Sequence, residues 1–248
     1  MALLELQDVS LTYFSASGET EALNKINLTV NPQEFVSIVG PSGCGKTTIL
    51  HLISGLISPT KGKIIFGSKE SDNSFIGYMF QKDNLLEWRT ILSNVYLSLE
   101  LQGKKTKENM GYANSLLKKY NLWEFRNKHP YELSGGMRQR VALIRTLALK
   151  PSVLLLDEAF SALDYQTRLN VCNDVYDIIK KEKLSAILVT HDISEAISLS
   201  DRIVILSPRP ASVKKILNLS FDSNLSPLLR RQSPLSKKYF DTIWEDLK

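Results

Sequence analysis

The chain has 248 residues, of which 43% are hydrophobic, and its 31 Lys and Arg against 26 Asp and Glu leave a mild net charge of +5. That length and apolar content suit one domain, or a domain with a sub-lobe, around a sizeable core. No run approaches the roughly 18–20 apolar residues that a membrane-spanning helix needs, and no clustered basic stripe argues for nucleic acid as a partner. The opening residues Met1–Glu5 lack the basic region and apolar core of a secretory signal, so a cytoplasmic protein is expected unless another subunit holds it at a membrane. The two cysteines, Cys44 and Cys172, have no disulfide or metal-ligand spacing. Cys44 lies just before a predicted helix, where a thiol can be activated, but a small residue tolerated in a loop is the plainer reading. The pairs Arg230-Arg231 and Lys237-Lys238 read as solvated surface charge.

Residues 3–13 and 23–30 alternate apolar and polar side chains, as half-buried antiparallel strands do, around a turn-rich stretch at 15–19. Phe35–Val39 is short, apolar and β-branched, a buried strand that runs into Gly40-Pro41-Ser42-Gly43-Cys44-Gly45-Lys46-Thr47. A helix is predicted from Thr47 to Leu56, ending near Gly55 and the Ser58-Pro59 break, then strands at Gly62–Phe66 and Ile76–Phe80. From about Leu92 to Leu149 the pattern turns helical, which predicts an all-helical sub-lobe inserted in a mixed sheet. The alternation then returns. Val153–Asp157 reads as a strand, Gln166–Lys181 as a helix, Ala186–Thr190 as a strand, Ile193–Leu199 as a helix and Arg202–Leu206 as a strand. After Pro210 the pattern weakens, with one last helix expected around Lys238–Leu247. Strands alternating with helices predict a parallel sheet with ligands at the carboxyl ends of its strands.

The glycine-rich octet fits the P-loop pattern G-x-x-x-x-G-K-[ST] between a strand and a helix, the context in which loop amides and a helix N-terminus receive phosphate. Gly40, Pro41, Ser42, Gly43, Cys44 and Gly45 would form that cradle, with Lys46 reaching the β- and γ-phosphates of ATP. Thr47 would offer its hydroxyl to Mg²⁺, and Thr48 is placed to touch the α-phosphate. The run Val153–Leu156 ends in Asp157-Glu158; in the P-loop scheme Asp157 supports Mg²⁺ and Glu158 orients or deprotonates the attacking water. Leu133-Ser134-Gly135-Gly136-Met137 is a second glycine-rich turn that opens onto a helix, and by itself it is an N-cap with a flexible turn. Alone, Gln81 and His191 are polar residues at strand ends, and Tyr13, with Phe14 as its register alternative, is an edge aromatic.

These elements in this order resemble the ATPase subunit of ABC transporters over most of the chain. The resemblance implies an α/β P-loop NTPase fold with a RecA-like mixed sheet core, an antiparallel β subdomain and an inserted α-helical subdomain at about 86–149. It puts the ATPase domain at residues 1–210 and a C-terminal extension at 211–248. It also implies roles: Tyr13 stacking on adenine, Gln81 ligating Mg²⁺ and sensing the γ-phosphate, and His191 bonding that phosphate and holding the water. Leu133–Met137 resembles the family signature, with Met137 where glutamine is usual, and Ser134, Gly135 and Gly136 would meet the ATP of the opposite subunit. Ser161–Asp164 resembles the loop that crosses the same interface, so a head-to-tail homodimer enclosing two ATP is implied, with Asp164 at its seam.

Gln81–Val95 resembles the form found in importers of nitrate, sulfonate, taurine and thiamine precursors, with Glu87 where proline is usual, and Asp201–Pro210 resembles the same group's following stretch. The implied partners are integral-membrane permease subunits and, indirectly, an extracytoplasmic solute-binding protein, with the ATPase held at the cytoplasmic face of the membrane. Leu85, Leu86 and Trp88 are the expected contacts for a permease helix, unless they are core residues of the sub-lobe. Two other readings compete: a non-transport ABC ATPase acting on ribosomes or DNA, and a different P-loop protein such as a small-molecule kinase. One cassette without sustained heptads disfavours the first, and the signature, Asp164 and His191 together disfavour the second.

Overall fold

A computed structural model of the chain describes residues 2–15, 18–67, 76–222 and 225–248. In chain order its elements are β1 (Leu4–Ser15), β2 (Gly18–Val30), β3 (Phe35–Val39), α1 (Lys46–Ile53), β4 (Lys61–Phe66), β5 (Ile76–Met79), α2 (Ile91–Leu101), α3 (Lys107–Lys119) and α4 (Gly135–Leu147). There follow β6 (Val153–Asp157), α5 (Tyr165–Lys181), β7 (Ser185–Val189), α6 (Ile193–Leu199), β8 (Arg202–Leu206), β9 (Val213–Asn218), α7 (Pro227–Gln232) and α8 (Pro234–Leu247). They fall into two compact units, the described residues of 1–71 with 179–248, and those of 72–178.

The first unit holds two sheets. In the smaller one β1 pairs antiparallel with β2 and β4, with Leu6 opposite Leu28 on one side and Ile64 on the other. Alternation sends Leu4 and Leu6 into the core and then, after a bulge at which Asp8 takes a φ of 48° and the parity changes, Val9 and Leu11. Of the turn expected at 15–19, residues 16 and 17 lie outside the described residues. In the larger sheet β7, β3 and β8 are parallel neighbours and β9 is antiparallel to β8. Every residue of β3 and of β7 is buried, which is why both read as apolar runs with Ser37 and Ser185 as their polar members.

The helix after the P-loop stops at Ile53 rather than reaching Leu56, because Gly55 takes a left-handed φ of 73° and turns the chain. The tail is more structured than its sequence pattern suggests. Pro227 and Pro234 do not break helices but open them, at N-termini capped by Ser226 and Ser233, so the expected helix at 238–247 starts at Pro234. Ile243 of α8 is fully buried against Ile193, Ile197, Ile203 and Ile205. Arg230 is not solvated: it is 3% exposed, donates to the Ser200 carbonyl and lies over the Phe221 ring.

In the second unit β5 runs parallel to β6, with Met79 opposite Leu156. Helices α2, α3 and α4 begin at the caps Thr90, Thr106 and Ser134, whose hydroxyls accept from the backbone N–H three residues on. Their apolar faces bury Val95 and Leu99, Leu116 and Leu117, and Leu143 and Leu147. Among the described residues no helix is long and apolar enough to cross a membrane.

Candidate nucleotide site

In the first unit the parallel register of β3 and β7 sets Ile38 opposite Val189, so the P-loop and His191 leave the sheet at the same edge. Gly43 and Gly45 adopt φ of 72° and 118°, conformations that L side chains avoid. A Cβ on Gly45 would also stand 2.8 Å from Leu23. Gly45 occupies the N-cap of α1 and, having no side chain, supplies no cap of its own to the first turn of the helix. Lys46 is only 7% exposed, and its Nζ donates to the carbonyls of Gly40 and Pro41 at 2.9 Å each. A nearly buried cation beside a turn of left-handed glycines and an uncapped helix end fits a polyphosphate.

Thr47 is exposed at the start of α1. Tyr13, 43% exposed at the end of β1, has its hydroxyl 3.3 Å from Thr48 Oγ1, so an open aromatic face adjoins the helix that the P-loop begins. Phe14, the register alternative, is 68% exposed and forms no such bond among those described. His191 is exposed between Thr190, whose Oγ1 accepts from the Asp192 N–H, and Asp192, which caps α6. Burial pushes the Cys44 thiol up despite the Lys46 and Arg209 charges, so Cys44 is a packed small residue and not an activated nucleophile.

In the second unit the register of β5 and β6 brings Gln81 and Asp157-Glu158 to one sheet end. Gln81 Nε2 donates to Ser161 Oγ at 3.0 Å, and Ser161 Oγ donates to the Glu158 carbonyl at 3.0 Å. This uses the amide nitrogen of Gln81, the half that a metal ion cannot use. Glu158 itself sits at φ 47°, a left-handed conformation that costs a non-glycine residue about 1–3 kcal/mol. Ser134 caps α4 and is exposed, whereas Gly136 is buried. Asp164 is exposed and accepts from the Thr167 N–H at 3.0 Å; that bond and its companion from the Thr167 side chain hold the carboxyl below its ordinary range.

Sequence reasoning missed the residues that brace these groups. Tyr78 donates to Asp157 Oδ2 at 2.9 Å, and burial, then the Asp157 charge, push its phenol well above the ordinary tyrosine range. The guanidinium of Arg145 donates to the carbonyls of Asp83 and Asn84 at 2.7 Å each. Asn94, fully buried, accepts from the Leu86 N–H and donates to the carbonyls of Leu86, Arg89 and Thr90, which fixes the loop before α2. The sequence signals for Asn94 were its polarity in an apolar helix and its place in the Gln81–Val95 stretch, neither of which pointed to a bracing role.

The expected permease contacts divide. Leu85 is 7% exposed, turned inward by the same loop that Asn94 pins, so of the two readings left open it follows core packing and not an exposed contact. Leu86 is half-buried and Trp88 is 76% exposed. A cavity of about 310 Å³ opens nearby within this unit, lined by Phe80, Leu97, Leu101 and Arg145 among others, and none of the three expected residues lines it.

The family model described as "ABC transporter" matches residues 23–161. An uncharacterized ABC transporter ATP-binding protein of Bacillus subtilis, YtlC, is 43% identical over 100% of this chain and 96% of its own length. The nitrate import ATP-binding protein NrtD of a Synechocystis strain is 40% identical over 88% of this chain and 82% of its own. A solved dimeric structure of the ATP-binding cassette MJ0796, in a post-hydrolysis state with ADP and phosphate, superposes with a TM-score of 0.70 at 32% identity, over 88% of this chain and 100% of that one.

Proposed function

The chain belongs to the ABC transporter family, and from that premise we propose that it is the ATP-hydrolysing subunit that energises import of a small solute through a membrane permease. The observation that carries this reading is the P-loop itself: Lys46 held nearly buried on two loop carbonyls, beside left-handed Gly43 and Gly45. Bound ATP with Mg²⁺ supplies the phosphoanhydride bond whose hydrolysis drives the cycle.

The chain's own residues would bind, orient and move one proton. Lys46 holds the β- and γ-phosphates, and Tyr13 stacks on the adenine face. Thr47, Gln81 and Asp157 offer hydroxyl, amide and carboxylate oxygens, a hard donor set that suits Mg²⁺. Glu158 accepts the proton of the attacking water, and His191 holds the γ-phosphate by a hydrogen bond. Ser134, Gly135 and Gly136, with Asp164, form the surface that meets a second copy, so that two ATP are shared across a head-to-tail dimer. Their exposure at Ser134 and Asp164 supports this. ATP favours the closed dimer because only that state satisfies the γ-phosphate from both sides, and hydrolysis removes that preference.

The permease helix is assigned to the face carrying exposed Trp88, together with the cavity edged by Phe80 and Leu101, exposed to 43% and 79%. The protein then sits at the cytoplasmic face of the membrane, and a solute-binding protein delivers cargo on the other side. The nitrate-importing relative and the Gln81–Val95 stretch support a solute such as nitrate, a sulfonate, taurine or a thiamine precursor.

Two measurements test the proposal. Co-purification from membranes should yield a permease complex whose ATPase is stimulated by one loaded binding protein, which names the solute; recovery with ribosomes or DNA and no permease refutes it. In that complex Glu158→Gln should keep ATP binding while lowering kcat by roughly 10²–10⁴-fold, the scale of a lost general base. Wild-type turnover in Glu158→Gln would remove Glu158 from the mechanism.

A further inference from the structure

The stretch Asp201–Pro210 carries no role in the scheme above, yet the turn it enters is built against the nucleotide loop. Between β8 and β9 the turn is closed by the Ser207 N–H donating to the Ser212 carbonyl at 3.0 Å and the Ser212 N–H donating to Ser207 Oγ at 2.9 Å. On one flank it is tied to β2: the Ala211 N–H donates to the Ala22 carbonyl at 2.9 Å, and the Asn24 N–H to the Ala211 carbonyl at 2.8 Å. That part of β2 carries Leu23, the side chain against which Gly45 is packed. On the other flank Arg209 reaches the P-loop, and its guanidinium donates to the Gly43 carbonyl at 2.7 Å.

The consequence follows from peptide geometry. The Gly43 carbonyl and the Cys44 N–H belong to one planar unit and point in opposite directions. Arg209 fixes the carbonyl end, while the Cys44 N–H donates to the Pro41 carbonyl at 3.3 Å. That same Pro41 carbonyl accepts from Lys46 Nζ. One peptide plane and one carbonyl therefore link Arg209 to the lysine at the centre of the site. Gly43 is left-handed, and a Cβ built on it would meet nothing within 4 Å, so among the described contacts the Arg209 guanidinium is the side chain that holds it in place. The Arg209 charge is also felt inside the loop, at Cys44.

We propose that Arg209 is a positioning residue of the nucleotide site, which holds the Gly43–Cys44 peptide, and through it the Lys46 anchor, in the orientation that receives the ATP phosphates. It touches neither metal nor reacting atoms. It acts by lowering the cost of ordering a loop whose glycines otherwise leave it free. The inference rests on the reading of this loop as the ATP site.

The test uses the full-length chain, with calorimetric titration of a non-hydrolysable ATP analogue and steady-state ATPase assays. Arg209→Ala should raise both Kd and KM by about tenfold, the lower end for a hydrogen bond to a charged group, and leave kcat at saturating ATP within about twofold. Arg209→Lys keeps a cationic donor of similar reach and should recover most of the affinity, whereas Arg209→Met, similar in length without a donor, should behave like the alanine variant. Unchanged affinity in Arg209→Ala overturns the proposal, as does a fall in kcat without a rise in KM. Should Arg209→Ala fail to fold, the contrast between Lys and Met decides: equal affinities in those two overturn it. A wild-type chain that binds no analogue would instead refute the nucleotide reading itself.

Discussion

The molecule carries two glycine-rich turns that each open onto a helix, and their glycines serve opposite ends. In the P-loop, Gly43 and Gly45 are there first for backbone conformation, with φ of 72° and 118°, and Gly45 also for space, since a Cβ on it would stand 2.8 Å from Leu23. In the signature turn Gly135 and Gly136 are there for space: a Cβ on Gly135 would lie 3.2 Å from Leu163, and one on Gly136 3.0 Å from Val171 and 3.1 Å from Thr167. The helix ends differ in the same sense. The first turn of α1 has no side-chain cap, whereas α4 is capped by Ser134, whose Oγ accepts from the Met137 N–H at 3.4 Å. The glycine N-cap of α1 cannot cap its own helix; the signature serine satisfies part of its helix end and is itself exposed. A shared residue type therefore does not mean a shared role.

The largest expected effect comes from removing the lysine that begins α1. Lys46→Ala deletes a charge held on two carbonyls and should weaken ATP binding by roughly 10²-fold, on the scale of losing one strong hydrogen bond to a charged group. Melting without nucleotide should change little. A titration showing wild-type affinity would mean that the loop amides alone bind phosphate. Gly45→Ala comes next. It forces a side chain into φ 118° and within 2.8 Å of Leu23, so it should destabilise the chain by about 1–3 kcal/mol and also weaken binding. Thermal melts with and without ATP separate the two losses.

The ease of reading the sequence follows the same division. The P-loop was legible because its chemistry lies within eight consecutive residues, flanked by an apolar strand and a helix. The strands Phe35–Val39 and Val153–Asp157 were legible to the residue, because burial on both faces leaves a short, mostly apolar run, with Ser37 inside the first and Asp157 closing the second. What holds the second unit together was not legible. Asn94 and Arg145 bond to backbone carbonyls, which every residue has, so their partners leave no mark in the sequence. Leu85 was left between groove contact and core because an apolar residue in a polar loop fits both until the loop is seen folded inward. The tail hid β9, an edge strand with two lysines in it, and α7, because prolines that start helices read as breaks.

Gly136→Ala sharpens the comparison from the signature side. Ala gains up to about 1 kcal/mol over Gly in a helix, but the new methyl must displace Val171 and Thr167 by a few tenths of an ångström. The two effects nearly cancel, so the net change in stability should stay under about 1 kcal/mol, far below that of Gly45→Ala. ATP binding by the single chain should be unaffected. A loss as large as that of Gly45→Ala would show that space and backbone conformation had been assigned to the wrong turns.

The smallest effect concerns the acidic residue just beyond the leucine that Gly135 faces. The Asp164 carboxyl is held below its ordinary value of 3.8 by hydrogen bonds from Thr167. A group with a depressed folded pKa adds stability that is complete above its unfolded value and disappears as pH falls through the lower folded one. Asp164→Asn should therefore melt slightly below the wild type at pH 7, and the gap should close only as the pH drops below about 3.8. Because Asp164 is fully exposed, the gap is small and shrinks with added salt. A gap that instead widened on acidification would mean that the carboxyl is held up rather than down, and that the cap on the loop leading into α5 rests on another group.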